Sequence, residues 1–424
     1  MTSFIERLPV EVFEILAVDL DLSGYQNLRL TSRQLHLLTL STFGKRFVSR
    51  LTSTLGSPSL DRLVNLSNHP YFCDVVTRLD IKLLSHRDYK LLANIAKVGI
   101  FPPPKRFPVV SIVKQEHIRG ESTLYDDVLS RKYPQCITER LTRALVGFGN
   151  LKTIRFRTQN KEPAGWLSDL PDGDQTFRTK CFQAVIDSIL KSEIQLDEFG
   201  MSKRKRTKGI SKSLHLHYPA LQIPFSAHAS LRHCFRDLSS LDLSVVTSHN
   251  GNVRVPGWEN GLSHFIMCAP SLKSLALSLG RAEHISDYSA AIIHSLALSC
   301  HLPSLECLHL VNTALHEGDM MAILTRHRGS IRELILKNTR MLMGTWISFL
   351  TSLKEVEGLQ CLRLALLEGL RSPIVFRQNK KAKAKITLDL AKSERPMREM
   401  LEDLVAAEGG ESGVLSIDVD GWLH

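Results

Sequence analysis

Two histidines stand two residues apart in Leu214-His215-Leu216-His217. On a strand both imidazoles would point to one face, where a metal could take them if a carboxylate or thiolate joined them. Nothing in the sequence supplies that third ligand, so two polar residues on one strand face are the favoured reading. Gly147-Phe148-Gly149-Asn150-Leu151-Lys152 begins like a phosphate-cradling loop. It lacks the third glycine and falls between a helix and a strand, the reverse of what a dinucleotide fingerprint needs. Gly-x-Ser-x-Gly, a Walker loop and His-Glu-x-x-His are all missing, so hydrolase, NTPase and zinc-protease chemistry lack their minimal residues. The expectation is a non-enzyme with no metal and no cofactor.

Two basic runs, Lys203-Arg204-Lys205-Arg206-Thr207-Lys208 and Lys380-Lys381-Ala382-Lys383-Ala384-Lys385, could bind phosphate, and the first could serve nuclear import. No aromatic residues interleave with them to stack on bases, which argues against nucleic acid. Solvated loops are the plainer reading.

A repeated pattern offers a binding surface in place of a reaction centre. Leu-x-x-Leu-x-Leu, allowing Ile, Val or Phe, occurs at Val76/Leu79/Ile81, Leu151/Ile154/Phe156, Leu238/Leu241/Leu243, Leu272/Leu275/Leu277, Leu305/Leu308/Leu310, Ile331/Leu334/Leu336 and Leu359/Leu362/Leu364. From Leu238 the starts are 34, 33, 26 and 28 residues apart, near the roughly 20 to 29 of leucine-rich repeats. Two of them end alike, Leu310-Val311-Asn312-Thr313 and Leu336-Lys337-Asn338-Thr339. In each strand the residues flanking and between the last two apolar positions point to the other face. They are Arg78, Asp80, Lys82; Thr153, Arg155, Arg157; Ser240, Asp242, Ser244; Ser274, Ala276, Ser278; Cys307, His309, Val311; Glu333, Ile335, Lys337; and Cys361, Arg363, Ala365. Six basic side chains oppose three acidic ones. Arg78, Arg155, Arg157, His309, Lys337 and Arg363 are the candidate target-binding residues, with the arginine-rich end suited to acidic or phosphorylated segments through bidentate contacts.

The elements that must position them alternate strand with helix, which predicts a right-handed α/β solenoid. Helices are expected at 86–97, 136–147, 178–191, 287–300, 317–327 and 344–357. Ile194 to Phe199 reads as a further strand followed by Leu214-His215-Leu216. Ile386 to Leu390, a helix near 395–407, and Leu415 to Val419 read as a degenerate repeat and a closing strand. The expected organisation is a helical domain over 1–55, a link over 56–75 and the solenoid over 76–424, with loop insertions near 100–135 and 202–212.

A chain of 424 residues, 43% hydrophobic and 23% charged, with a formal charge of 54 − 43 = +11, has the composition of a globular protein large enough to bury a core. Its apolar stretches are too short for a membrane span, and the N-terminus lacks the basic flank and apolar run of a secretory signal. The eight cysteines are scattered with no Cys-x-x-Cys pair and read as reduced core thiols. A cytosolic or nuclear location is expected.

At the N-terminus, nine of the thirteen residues from Val10 to Leu22 are apolar, so a helix there is greasy around most of its circumference. Pro9 suits the first helical position, which makes Leu8 the N-cap, a poor one. A second helix fits 23–31, and Ser32 caps a third. Phe43, Phe47, Leu51 and Leu55 recur every four residues, as on one helical face. Three or four short helices cannot bury all this surface, so part of it must meet the rest of the chain or another protein.

These residues resemble the F-box. The match is Leu8-Pro9-x-Glu11, Ile15-Leu16, Leu20 and Leu28-Arg29-Leu30-Thr31-Ser32-Arg33. The bulky aromatic or Trp usual late in the motif is absent, with Leu37 and Leu38 near its place. The resemblance implies that Leu8, Pro9, Ile15, Leu16, Leu20, Leu28 and Leu30 form or support a surface for the Skp adaptor. Through the adaptor the chain would join a cullin-RING ubiquitin ligase, the SCF complex. The whole layout resembles the leucine-rich F-box proteins of filamentous fungi, implying a short helical F-box followed by an irregular leucine-rich-repeat-like solenoid. It further implies a substrate-recognition role, with an unidentified protein target on the concave face. The rival reading is a scaffold outside any SCF complex, or a nucleic-acid-associated protein, binding through the basic runs.

Overall fold

The structure, a computed structural model, describes residues 5–98, 112–130, 133–158, 172–201, 216–246, 257–280, 287–369, 373–378, 381–393, 395–406 and 414–416. It is a mixed α/β protein built on a large, mostly parallel sheet.

The chain opens with a short 3-10 turn, Ile5–Arg7, and helix α1, Val10–Leu16. Pro9 lies outside the helix as its cap, with φ −55° and ψ 147°. The proline ring fixes φ alone, and here ψ is that of polyproline backbone. Leu8 is therefore not the cap, a correction to the sequence reading, and the Pro9 carbonyl accepts the N–H of Phe13 at 3.0 Å. Helix α2, Leu22–Thr31, is capped by Asp21, whose carboxylate accepts the Gly24 N–H at 2.7 Å. Ser32 caps α3, Arg33–Leu38, as expected, accepting from the Leu35 N–H at 3.1 Å.

Helix α4, Leu40–Phe43, continues through a π-helical turn, Gly44–Val48, into strand β1, Arg50–Ser53. The stripe of Phe43, Phe47, Leu51 and Leu55 does not lie on one helix. A spacing of four is even, so it returns to the same face of a strand as well as of a helix. Phe43 and Phe47 use the helical periodicity, whereas Leu51 is a buried strand residue. Strand β1 pairs in parallel with β2, Arg78–Leu83, so the sheet begins ahead of residue 76. Between them α5, Ser57–Ser67, buries Leu60 and Leu63 in the same core; the segment is more than a link.

Next come α6, His86–Val98; α7, Ile112–Ser122; α8, Leu124–Leu129; α9, Tyr133–Gly147; and β3, Thr153–Thr158. The stretch near 100–135, expected as a loop insertion, thus holds two helices. Helix α7 is fastened by Glu121, a buried carboxylate that accepts the hydroxyls of Thr54 and Ser59. The insertion expected near 202–212 lies outside the described residues. Helix α10, Asp172–Ser192, leads to β4, Glu198–Met201, and residues 216–217 form a short β5 beside β6.

The remaining elements alternate: α11, His228–Cys234; β6, Ser240–Val246; α12, Asn260–Met267; β7, Ser274–Gly280; α13, Asp287–Ser299; β8, Cys307–His316; α14, Glu317–Arg326; β9, Glu333–Met343; α15, Trp346–Leu353; and β10, Cys361–Glu368. The sheet runs β1-β2-β3-β4-β6-β7-β8-β9-β10, then β13 (Lys385–Asp389). Leu79, Ile154, Phe199, Leu241, Leu275, Leu308, Leu334 and Leu362 stand in one continuous row of strand partners, all buried. Each buried side chain of this size is worth about 2 kcal/mol, and a one-residue slip of any strand would turn its inward set toward solvent.

The C-terminal expectation needs correction. Strand β13 pairs antiparallel with β10, so it does not continue the parallel series. Strand β14, Val414–Ser416, joins β11, Val375–Gln378, and β12, Lys381–Lys383, in a separate three-stranded sheet beyond helix α16, Met397–Ala406. Alternating apolar residues reveal which face is buried but carry no strand direction. Among the described residues no helix is long and apolar enough to cross a membrane.

Candidate functional site

The N-terminal helices share a small core of Phe13, Ala17, Tyr25 and Leu35, with Leu8, Leu20, Leu28, Leu38, Phe43 and Phe47 packed against it. Helix α1 spends one side on this core. Two polar contacts hold it there: the Thr42 hydroxyl donates to Glu14, and Arg46 Nη1 donates to the Ala17 carbonyl at 3.3 Å, where the helix ends. The guanidinium of Arg29 lies 4.3 Å from the Phe43 ring centroid, and that of Arg46 lies 5.2 Å from Phe47. Phe43 also packs on Phe72 of the main core, with centroids 6.0 Å apart. The periodicity pointed to Phe43 and Phe47, but nothing in it revealed the two arginines that clamp them.

Among the described residues, nothing covers the outer side of α1. Ile15 is 72% exposed and Leu16 67%, and Leu30 on α2 reaches 84%. Val10, Val12 and Val18 are exposed beside them, as are Ile5, Leu22 and Leu37. Of the sixteen exposed large apolar residues among those described, these nine all fall before residue 38. Buried apolar area is the main driver of association, so this clustering is the first candidate surface. The seven residues singled out from the sequence divide in two. Pro9, Ile15, Leu16 and Leu30 are exposed, while Leu8, Leu20 and Leu28 are half-buried supports packed on the small core.

The second candidate surface is the sheet face opposite the buried row. Its outward residues form three aligned rows across the strands, and the central one runs Asp80, Arg155, Gly200, Asp242, Ala276, His309, Ile335, Arg363. Arg78, Arg155 and Arg157 come together over β2 and β3, whereas His309, Lys337 and Arg363 lie on β8 to β10. Strands β6 and β7 separate the groups with Ser240, Asp242, Ser244, Ser274, Ala276 and Ser278, so the six candidates do not form one site.

The arginines are also neutralised locally. Asp80 accepts Arg78 Nε at 2.9 Å and Arg157 Nη2 at 2.6 Å. Arg155 pairs with Glu198 across β3 and β4, and Arg363 with Glu333 at 3.1 Å. Glu198 was missing from the sequence-based face because β4 does not match the leucine pattern; counting it raises the acids from three to four. Asp80, Ser244, Ala276 and Cys361 are buried although they lie on the outward face. For Asp80 the cause is the pair of guanidiniums laid over it. Lys82 lies in the same end, and its burial pulls the ammonium below its ordinary range, against the opposing pull of Asp88 and Glu121.

Gly200 is the other residue the sequence reading passed over. Its φ is +141°, and a Cβ there would lie 2.1 Å from the Asp242 carbonyl oxygen. Only glycine lets β4 and β6 approach so closely, and an isolated glycine inside a strand was the available signal.

The other chemistry-bearing residues named in the sequence lie apart from one another among the described residues. Gly147 serves packing: a Cβ there would meet the Ser67 carbonyl oxygen at 2.8 Å. His217 packs against Tyr218 with ring centroids 4.9 Å apart, and His215 lies outside the described residues. Among the described residues no cluster of His, Cys, Asp or Glu could hold a metal. The eight cysteines are free thiols; Cys181, Cys234, Cys268 and Cys300 lie in the core, Cys361 is buried on the outward face and Cys136 is exposed, so the core reading holds for half of them. Burial pushes the Cys300 thiol up to about 12 and the Cys234 and Cys268 thiols up to about 11, far from the thiolate a nucleophile needs. The first basic run lies outside the described residues, and of the second the backbone of Lys381–Lys383 forms edge strand β12.

A scan against protein-family models finds no match for this chain, and a search of curated proteins finds none either.

Proposed function

We propose that this protein is the target-recognition subunit of an SCF-type ubiquitin ligase. The N-terminal helices bind the Skp adaptor, and the strand-and-helix array is a leucine-rich-repeat-like solenoid whose concave face holds the protein to be ubiquitinated. The observation that carries this reading is the concentration of exposed apolar residues on α1 and α2, at the positions where the sequence resembles the F-box. A chain of net charge +11 that leaves Ile15, Leu16 and Leu30 uncovered has built a surface for an apolar partner. The chain itself carries out no bond chemistry. It accelerates ubiquitin transfer by holding a target lysine near the charged ligase, which turns an encounter into a near-intramolecular step.

The test is a pull-down of purified Skp adaptor by the full chain, beside Leu16→Asp and Pro9→Ala, at two salt concentrations. Binding should resist salt, because apolar docking is little screened, and Leu16→Asp should abolish it while remaining folded. A folded wild type that captures no adaptor overturns the proposal.

A further inference from the structure

Where the N-terminal helices meet the main core, two basic side chains lie on neighbouring aromatic rings. The Arg29 guanidinium of α2 is 4.3 Å from the Phe43 ring centroid, and the His69 imidazole, just after α5, stacks on Phe72 with centroids 4.3 Å apart. The two phenylalanine rings are 6.0 Å apart, so they form one floor under both groups. A third basic group joins from α3: Arg29 Nη2 donates to His36 Nε2 at 3.3 Å.

The hydrogen bonds fix what each group can offer. A guanidinium only donates, so the His36 Nε2 that meets it is an acceptor and the proton of that ring stands on Nδ1. His69 Nδ1 accepts the N–H groups of Tyr71 and Phe72, each at 3.2 Å, which puts its proton on Nε2. That N–H has no acceptor among the described residues. Arg29 Nη1 is covered and likewise meets no acceptor among them.

The charge of the cluster is uncompensated. Among the described residues no carboxylate pairs with Arg29, His36 or His69. Burial pulls the Arg29 guanidinium below its ordinary range. The His36 imidazole is pulled down too, by desolvation first and then by the positive charge of Arg29 and of His69. Three basic groups brought from three elements onto one floor, with no carboxylate between them, are arranged to receive an anion. His36 is exposed and the other two are half-buried, so the cluster is open to solvent.

We propose that Arg29, His36 and His69 form a binding site for a phosphate group. The Arg29 guanidinium and the His69 Nε2–H donate to its oxygens, and His36 joins them by taking up a proton and turning from acceptor to donor. A carboxylate would balance the single charge of Arg29 and leave the imidazoles unused. A phosphate carries up to two charges and three strong acceptor oxygens, which matches one fixed cation beside two rings that can add charge. The site is separate from any adaptor contact and does not depend on the ligase reading.

The test is calorimetric titration of the full chain with inorganic phosphate, and with a short neutral peptide carrying one phosphoserine. One saturable site is expected. Arg29→Gln should bind at least about tenfold more weakly than wild type. His69→Asn, which keeps an acceptor near the place of Nδ1 and removes the Nε2 donor, should weaken binding at least about threefold. Arg328→Gln, an equal loss of charge at an exposed position after α14, should bind as wild type does. Sulfate keeps its double charge between pH 6.0 and pH 7.5 and should bind more tightly at the lower pH. There His36, faced by Arg29 from α2 and His69 from the turn after α5, adds its own charge, and His36→Gln should reduce the gain. No saturable binding by wild type, equal binding by Arg29→Gln, or an equal loss in Arg328→Gln overturns the inference; the last would mean that the net charge of +11 attracts anions without a site. If Arg29→Gln does not fold, the His69→Asn result decides. A peptide that binds more tightly than free phosphate assigns the site to a phosphorylated protein, and equal affinities assign it to the phosphate group alone; both support it. None of these titrations involves the adaptor, so their failure leaves the ligase reading standing.

Discussion

Asp80 on β2 receives the guanidinium of Arg157 from β3 at 2.6 Å, and its own side chain is almost wholly covered. Arg78 closes over the other carboxylate oxygen at 2.9 Å, so one buried anion holds two cations in fixed positions. Removing the anion leaves two guanidiniums crowded together without their shared partner. Asp80→Asn should therefore lower unfolding stability by about 3 kcal/mol, whereas Arg157→Ala, at a more exposed site, should cost about 1 kcal/mol. Urea denaturation of the three proteins measures both. Equal, small losses would show that the triad is a surface ornament.

The two faces of α1 should answer to different assays. Phe13 is buried in the small core beside Tyr25, and Phe13→Ala should cost about 3 kcal/mol of the N-terminal helices' stability. Leu16 is mostly exposed, and Leu16→Ala should change stability by less than about 0.5 kcal/mol. Hydrogen exchange over residues 10–38 reads the difference directly. A Leu16→Ala protein as destabilised as Phe13→Ala would mean that the outer side of α1 is already covered.

The apolar row of the sheet was legible in the sequence because burial on one face imposes a strict period of two, as at Leu241, Leu243, Leu275 and Leu277. The exposure of Ile15 and Leu16 was legible for a related reason: too many apolar residues crowd too short a helix. The pairing of the arginines was not. Glu198 belongs to a strand without the leucine pattern, and its contact with Arg155 arises only because β4 lies next to β3. Pro9 was misread because φ suits both a helix and polyproline while ψ distinguishes them. Likewise nothing in Ile386-Thr387-Leu388 states that the strand runs antiparallel.

Gly200 offers a sharper test of the sheet. With φ at +141° and the Asp242 carbonyl oxygen 2.1 Å from the position of a Cβ, alanine requires β4 and β6 to separate. Gly200→Ala should destabilise the protein by about 3 kcal/mol or more, through strain and overpacking together. Thermal melting followed by circular dichroism measures it. A variant that melts with wild type would require a different path for β4.

The last prediction concerns His327, which is buried between α14 and β9 and makes two opposite hydrogen bonds. Its Nε2 accepts the Leu302 N–H at 3.0 Å, which leaves Nδ1 to donate to the Ile323 carbonyl at 2.7 Å. An acceptor nitrogen cannot also carry a proton, so the geometry requires the neutral ring. Burial acts in the same direction and pulls the imidazole below its ordinary range, against the opposing pull of the Ile323 carbonyl. The unfolded chain, whose histidine titrates near about 6.5, binds that proton more readily than the folded one. Stability from this residue is then fully present above that pH and is lost as the pH falls below it toward the depressed folded value. Urea unfolding at pH 7.5 and pH 5.5 should show a larger loss for wild type than for His327→Gln, whose amide does not titrate. Equal losses in the two proteins would mean that His327 takes up its proton in the folded state as easily as in the unfolded one, contrary to the two bonds that define its tautomer.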